Sequence, residues 1–262
     1  MLESYIRSRR SRKNILLMTH IVIGYPTLDA SMEIVRTMVE AGVDLMELQI
    51  PFSEPIADGP VILKANQTAL ANGVTVAQCL DFGRRMALAY PIPFLYMTYY
   101  NILFKYGVGR FADDMKTAGL QGAIVPDLPP EEAAGYLTAM GRHKLSPIFI
   151  YSPTTSDSRM RSIAQSAGGF IYCVARKGVT GDQTEFSQQI GGYLARCRAA
   201  TPLPLALGFG VKDKTDVDFL AGKADIAVIG SQTLRVVENH GIEAMGQFIR
   251  QIASDHADDR RR

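Results

Sequence analysis

The chain has no apolar run approaching the roughly 18 residues that a membrane-spanning helix needs, so no span is expected. Its first residues lack an apolar signal core, which speaks against secretion. Cysteine is scarce. Cys79, Cys173 and Cys197 stand in no Cys-x-x-Cys or Cys/His spacing. That excludes the familiar structural zinc motifs and suits reduced thiols in the cytoplasm. Charge imbalance is missing too. A formal net charge of +2 is too small to hold a nucleic acid. There is no Gly-x-x-x-x-Gly-Lys sequence, which argues against nucleotide hydrolysis. The four histidines, His20, His143, His240 and His256, form no pair with metal-ligand spacing. For His20, inside an apolar run, ordinary packing weighs more than a role in a site.

What is present describes a well-cored protein. Of 262 residues, 47% are apolar and 21% charged, ordinary values for a folded chain. Arg7, Arg9, Arg10, Arg12 and Lys13 accompany Leu2, Tyr5 and Ile6 at helical spacing. This reads as a leading helix over 1–14 with a solvated basic face. Eight short, nearly continuous apolar runs follow: Leu16–Ile23, Leu45–Ile50, Phe94–Tyr99, Gly122–Val125, Pro147–Tyr151, Phe170–Ala175, Leu203–Leu207 and Ile226–Ile229. Helical stretches separate them, two in series after the second (about 61–70 and 75–89) and one after the eighth. Pro129-Pro130-Glu131-Glu132 is expected to open a helix.

Apolar runs of this kind suit parallel strands buried on both faces, and strict alternation suits βα units. The expectation is a single (β/α)8 barrel domain over 1–262, the barrel proper over 15–253 and a fraying tail over 254–262. A doubly wound open sheet is the competitor, but the glycine-rich turn it often carries after its first strand is missing.

The second strand carries the most telling residues. Glu47 lies inside an apolar run, and a buried carboxylate needs a partner or a task. Asp58 follows eleven residues later in a proline-rich loop. Alternation puts Leu45, Glu47 and Gln49 on one face, which must be the barrel interior. Barrel active sites lie at strand C-termini, so the two acids read as an acid/base pair at the mouth. Gly208-Phe209-Gly210 and Gly230-Ser231 follow the seventh and eighth strands, where glycine turns and a helix N-terminus can cradle a phosphate. Gly178-Val179-Thr180-Gly181, after the sixth, can add a donor.

The run from Glu47 to Pro60 resembles the hallmark of the tryptophan synthase alpha subunit family. So do Ile23-Gly24-Tyr25-Pro26, Val125-Pro126-Asp127-Leu128-Pro129, Arg176 to Gly181, Gly208-Phe209-Gly210 and Gly230-Ser231, in the family's order. The resemblance implies cleavage of indole-3-glycerol phosphate to indole and glyceraldehyde 3-phosphate. It implies an αββα heterotetramer with a beta subunit that carries pyridoxal phosphate, takes the indole and makes tryptophan; the alpha chain itself needs no cofactor. Carried over by motif, Glu47 is the proton shuttle and Asp58 the partner of the indole nitrogen. Tyr172, Phe209 and Tyr99 match substrate-contacting positions. Asn101 matches a position towards the partner. Thr180 matches the threonine that bonds the aspartate when its loop closes. Gly181, Gly210, Gly230 and Ser231 match the phosphate cradle. The chain departs from the common pattern at His20 (phenylalanine), Val22 (threonine), Gln49 (glycine) and Glu54 (aspartate). Gln49 is expected to crowd the indole or bond the catalytic acid. Two other readings stay open: another phosphate-binding barrel isomerase or aldolase, and a partner-activating subunit with idle chemistry. No strand holds a lysine for a Schiff base; Lys177 stands in a loop.

Overall fold

A computed structural model describes residues 1–175, 183–208 and 211–253, without the side chains of 183–188. In chain order the elements are α1 (Leu2–Arg10), β1 (Leu16–Val22), α2 (Leu28–Glu40), β2 (Leu45–Gln49), α3 (Pro60–Ala71), α4 (Val76–Ala89), β3 (Phe94–Met97), α5 (Tyr100–Tyr106), α6 (Val108–Thr117) and β4 (Gly122–Ile124). A 3-10 turn (Pro130–Glu132) precedes α7 (Ala134–Arg142). Then come β5 (Ser146–Tyr151), α8 (Asp157–Ser166), β6 (Ile171–Val174), α9 (Gln183–Ala200), β7 (Leu205–Gly208), α10 (Lys214–Leu220), β8 (Ile226–Ile229) and α11 (Ser231–Ala253). The strands pair in parallel and in order, β8 returning to β1, so the sheet is a closed (β/α)8 barrel.

Each strand keeps the pleat's alternation. On the inside, Leu16, Met18, Leu45, Leu95, Met97, Ile124, Ile148, Ala206, Ile226 and Val228 form one buried cluster. On the outside, Met46, Leu48 and Ile50 join the larger cluster against the helices. Fully burying a Leu or Ile side chain stabilises by about 1.5–3 kcal/mol, so both layers contribute heavily.

The helices start where the local chemistry favours it. Thr27 caps α2 by accepting from Ala30 N (3.1 Å), and Thr75 with Gln78 forms a capping box on α4. Ser156 caps α8 by accepting from Arg159 N. Gly42, after α2, has φ +100°, the left-handed region that stops a helix at little cost to glycine.

α1 closes the N-terminal end of the barrel. Leu2 and Ile6 join the interior cluster. The basic residues of this segment form a solvated face only in part: Arg7 and Arg12 are exposed, as the sequence suggested, but the other three are not. Arg9 and Lys13 reach the fully buried Asp44, just before β2, at 2.9 and 2.8 Å. Arg10 reaches Asp225, just before β8 (3.4 Å). Asp44 also accepts from Leu17 N (3.0 Å). The cations therefore hold α1 to the strand ends.

Three local expectations need correction. Tyr100–Tyr106 is helical, where the sequence marks no element. Pro129-Pro130 opens a 3-10 turn, Pro130–Glu132, ahead of α7 rather than an α-helix. The last helical region is broken at Gly241, whose φ of +86° lies outside helical space. Strand ends also fall one or two residues inside most of the expected runs, where ladder pairing stops. The expected tail, 254–262, lies outside the described residues.

Candidate active site

Glu47 is only 3% exposed, and β1/β2 register sets it directly beside His20. The two side chains meet inside the barrel, His20 Nδ1 lying 3.0 Å from Glu47 Oε1. Tyr172, on β6, donates to the same oxygen at 3.4 Å. Glu47 Oε2 is buried and has no partner among the described residues. A buried, bare carboxyl oxygen is costly in a resting core and useful where a ligand binds. Burial works against a charged His20, but the Glu47 carboxylate outweighs it, helped by Asp58, and the pKa stands above the ordinary imidazole value. Burial and the nearby carboxylates push the Tyr172 phenol well up, so it stays a donor. His20 therefore belongs to the site and is not ordinary packing.

Asp58 is held from behind. Gln49, fully buried, donates from Nε2 to Asp58 Oδ2 at 2.7 Å. Tyr99 donates its hydroxyl proton to the same oxygen at 3.2 Å and accepts from Ala57 N at 3.1 Å. The Tyr99 ring stacks on Phe52, centroids 5.0 Å apart. Asn66, on α3, accepts from Phe52 N (2.9 Å) and so fixes the start of the loop. Burial raises the Asp58 pKa above the usual carboxylate value, opposed by His20, Gln49 and Tyr99. Tyr99, matched to a substrate-contacting position, is fully buried in this role and does not line the cavity. Gln49 bonds the aspartate, not the glutamate.

Both acids line a cavity of about 870 Å3 at the C-terminal end of the barrel. Met97, Ile124, Ile150, Tyr172 and Val228 give it an apolar middle suited to a flat aromatic ring. Beside His20, after β8, stand Gly230 and Ser231, the latter starting α11. The helix begins with unpaired N–H groups and the positive end of its dipole, which favours an anion. Gly208 lines the cavity for a different reason. A Cβ there would lie 2.9 Å from the Tyr172 ring and hydroxyl, so glycine makes room for Tyr172. Sequence reasoning passed over Lys212 and Arg235, which line the same end as Gly230 and Ser231. The signal was available for Arg235, one helical turn beyond Ser231. Thr180, Gly181, Phe209 and Gly210 lie outside the described residues. Asn101 is exposed on α5 and Glu54 is exposed in the loop before Asp58. Among the described residues, no group of three His, Cys, Asp or Glu side chains could hold a metal ion.

Comparison with known proteins places this geometry. A family model described as tryptophan synthase alpha chain matches residues 6–258. The chain belongs to the tryptophan synthase alpha chain family. The alpha chain of Syntrophotalea carbinolica is 67% identical over 96% of this chain and all of its own length. That of Desulforapulum autotrophicum is 64% identical, over 97% of this chain and all of its own. Among solved structures, Mycobacterium tuberculosis tryptophan synthase superposes with a TM-score of 0.90 at 30% identity, covering 98% of both chains. The alpha subunit of Legionella pneumophila gives 0.86, also at 30% identity, covering 97% of each. As a member of the family the chain is a carbon–carbon lyase. It cleaves indole-3-glycerol phosphate to indole and glyceraldehyde 3-phosphate for tryptophan biosynthesis. Tryptophan synthase alpha chains work with a beta subunit in general.

Proposed function

We propose that Glu47 is the proton shuttle of the retro-aldol cleavage and Asp58 the partner of the indole nitrogen. The observation that carries this reading is Glu47, which lines the cavity together with Asp58 and whose Oε2 is buried with no partner among the described residues. In this reading protonated Glu47 gives its proton to indole C3. The ring becomes an indolium cation, whose N–H the Asp58 carboxylate steadies. The carboxylate of Glu47 then takes the proton of the neighbouring side-chain hydroxyl. The C–C bond breaks, its electrons return to the ring, and the hydroxyl carbon leaves as an aldehyde. Glu47 ends as it began. A carboxyl that both gives and takes a proton works best with a balanced affinity for it.

The phosphate end of the substrate sits at Gly230 and Ser231, at the start of α11, within reach of Lys212 and Arg235. Gly181 and Gly210 complete that cradle in this reading, with Thr180 and Phe209 over the indole. No cofactor takes part in this chain's chemistry, and pyridoxal phosphate belongs to the beta partner. The assembly is αββα, in the cytoplasm. Among the described residues no helix is long and apolar enough to cross a membrane. Exposed Ile56, in the loop after β2, and Phe104, on α5 after β3, 78% and 71%, suit a partner's face.

Glu47→Gln tests the assignment. The variant is expected to fold, to bind glycerol 3-phosphate as the parent does, and to release no indole with the cognate beta subunit added. Substantial turnover would remove the shuttle role from Glu47. The same assay answers the reading of an activator with idle chemistry, which predicts no indole from the parent either.

A further inference from the structure

His20 and Glu47 are register partners on neighbouring parallel strands, and their side chains leave the sheet on the same inner face. Each is 3% exposed, and Nδ1 lies 3.0 Å from Oε1. An imidazole nitrogen at that distance accepts from a carboxylic acid or, when protonated, donates to a carboxylate. One proton on the line joining them serves either partner. We propose that His20 is the positioning residue of the proton shuttle: it shares a single proton with Glu47, so that the pair, and not the lone carboxyl, holds the proton used in carbon–carbon cleavage. This rests on Glu47 being the shuttle.

Three observations favour sharing over simple packing. Oε1 of Glu47 is occupied by His20 and Tyr172, which leaves Oε2 as the atom that meets substrate. His20 Nε2 is buried with no partner among the described residues. In an orienting histidine the second nitrogen usually carries the bond that fixes the tautomer. Among the described residues no hydrogen bond closes on Nε2, and the nearby Gln49 amide favours the protonated ring, which the shared proton requires in one of its two forms. His20 also lines the substrate cavity, so the pair is placed where the proton is used.

Proton accounting is simple. The loaded pair is neutral imidazole with carboxylic acid, or imidazolium with carboxylate, and the two forms exchange by moving one proton along the hydrogen bond. Delivery to indole C3 leaves imidazole and carboxylate. The substrate hydroxyl returns the proton as the C–C bond breaks. Among the described residues the other charged or titratable groups near the pair are Asp58 after β2 and Tyr172 on β6, with Lys212 after β7 and Arg235 on α11 lining the same cavity. None of these is its register partner.

A consequence separates sharing from holding. The last proton leaves the pair with an affinity at least that of either member alone, because two sites can carry it. Removing the imidazole while keeping a hydrogen-bond donor therefore lowers that affinity. The raised imidazole pKa of His20 is consistent with this.

The test uses the full chain with its cognate beta subunit. His20→Asn keeps a donor towards Glu47 and cannot titrate. kcat/KM for indole-3-glycerol phosphate is measured from about pH 6 to 9.5. The expected result is an alkaline limb moved to lower pH by about one unit, a roughly tenfold loss at fixed alkaline pH, with glycerol 3-phosphate binding unchanged. An unmoved limb, with activity unchanged or lowered equally at every pH, overturns the proposal. A second measurement does not depend on how well that variant folds. In histidine-labelled protein, the NMR titration of His20 is expected to move to lower pH in Glu47→Gln, and an unmoved titration overturns the proposal. Turnover retained by Glu47→Gln would instead overturn the shuttle assignment beneath it.

Discussion

Gln49→Leu isolates what the sequence left unexplained beside the chemistry. Gln49 is fully buried and donates to Asp58 Oδ2 at 2.7 Å, the shortest bond that carboxylate receives. Leucine keeps most of the volume and removes the donor. The fold is expected to persist, because Asn66 still holds Phe52 N at 2.9 Å. A hydrogen bond to a charged group is worth about 1.5–3 kcal/mol. Asp58 is partly exposed and keeps Tyr99 as a second donor at 3.2 Å, so about 1.5 kcal/mol is the fitting end of that range. One pKa unit corresponds to about 1.4 kcal/mol, so the Asp58 pKa, already raised by burial, should climb by about one further unit. The sign follows from the role. Ionised Asp58 steadies the indolium, and losing the donor disfavours the ionised form. The acid limb of kcat/KM therefore moves to higher pH by about one unit, while the plateau above it changes little. The assay is indole release with the beta subunit across the acid range. Tyr99→Phe should move the limb the same way by less, and Asp58→Asn should abolish it. An acid limb that stays put in Gln49→Leu, or moves to lower pH, would refute the reasoning.

Gly208→Ala places a Cβ against the Tyr172 ring, and overpacking of this kind costs about 1–3 kcal/mol. Urea unfolding should register that loss, and kcat should fall about tenfold as Tyr172 leaves Glu47. Arg235→Gln should weaken glyceraldehyde 3-phosphate binding by about threefold to tenfold, as expected for an exposed cation, and the difference should shrink in high salt. Calorimetric titration at two ionic strengths checks both points, and kcat should hold. Asp44→Asn removes the charge that Arg9 and Lys13 share at the closed end of the barrel. Breaking a buried pair costs about 3–5 kcal/mol, and the half-exposed Arg9 recovers part of that in water, so about 3 kcal/mol is expected in urea unfolding, with cleavage rates unchanged.

The barrel was legible because buried parallel strands write themselves as apolar runs, and Glu47 stood out because it broke one. Period-two alternation was enough to put Leu45, Glu47 and Gln49 on the inner face. Elements without a stripe were harder. α5, Tyr100–Tyr106, is seven residues of mostly aromatic and β-branched side chains with Phe104 turned to solvent, so neither propensity nor periodicity marked it. α9 begins at Gln183, in a polar stretch where Phe186 is the lone apolar residue before Ile190, so no stripe marks its first turns. The basic cluster near the N-terminus carried its charge plainly. Its partners lie far along the chain, Asp44 31 residues from Lys13 and Asp225 215 residues from Arg10, and no local pattern spans that distance.

The same distinction explains the two residues beside the chemistry. A strand's alternation says which way a side chain points, and the register with its neighbour says what it meets. Gln49 was visible as an inward amide; that it reaches Asp58 depends on the path of the Pro51–Pro60 loop and on Asn66, which ties the loop's first residue to α3. His20 was visible as a histidine in an apolar run, and packing was the natural reading. Its meaning comes from one register pair, His20 with Glu47. A shift of one residue between β1 and β2 would set Thr19 or Ile21 beside the glutamate and turn the imidazole to the other face. Closure constrains that register, because both strands pair on two sides within a ring of eight. The proton pair is thus a property of the barrel's closure as much as of the two residues, and that is why neither residue alone announced it.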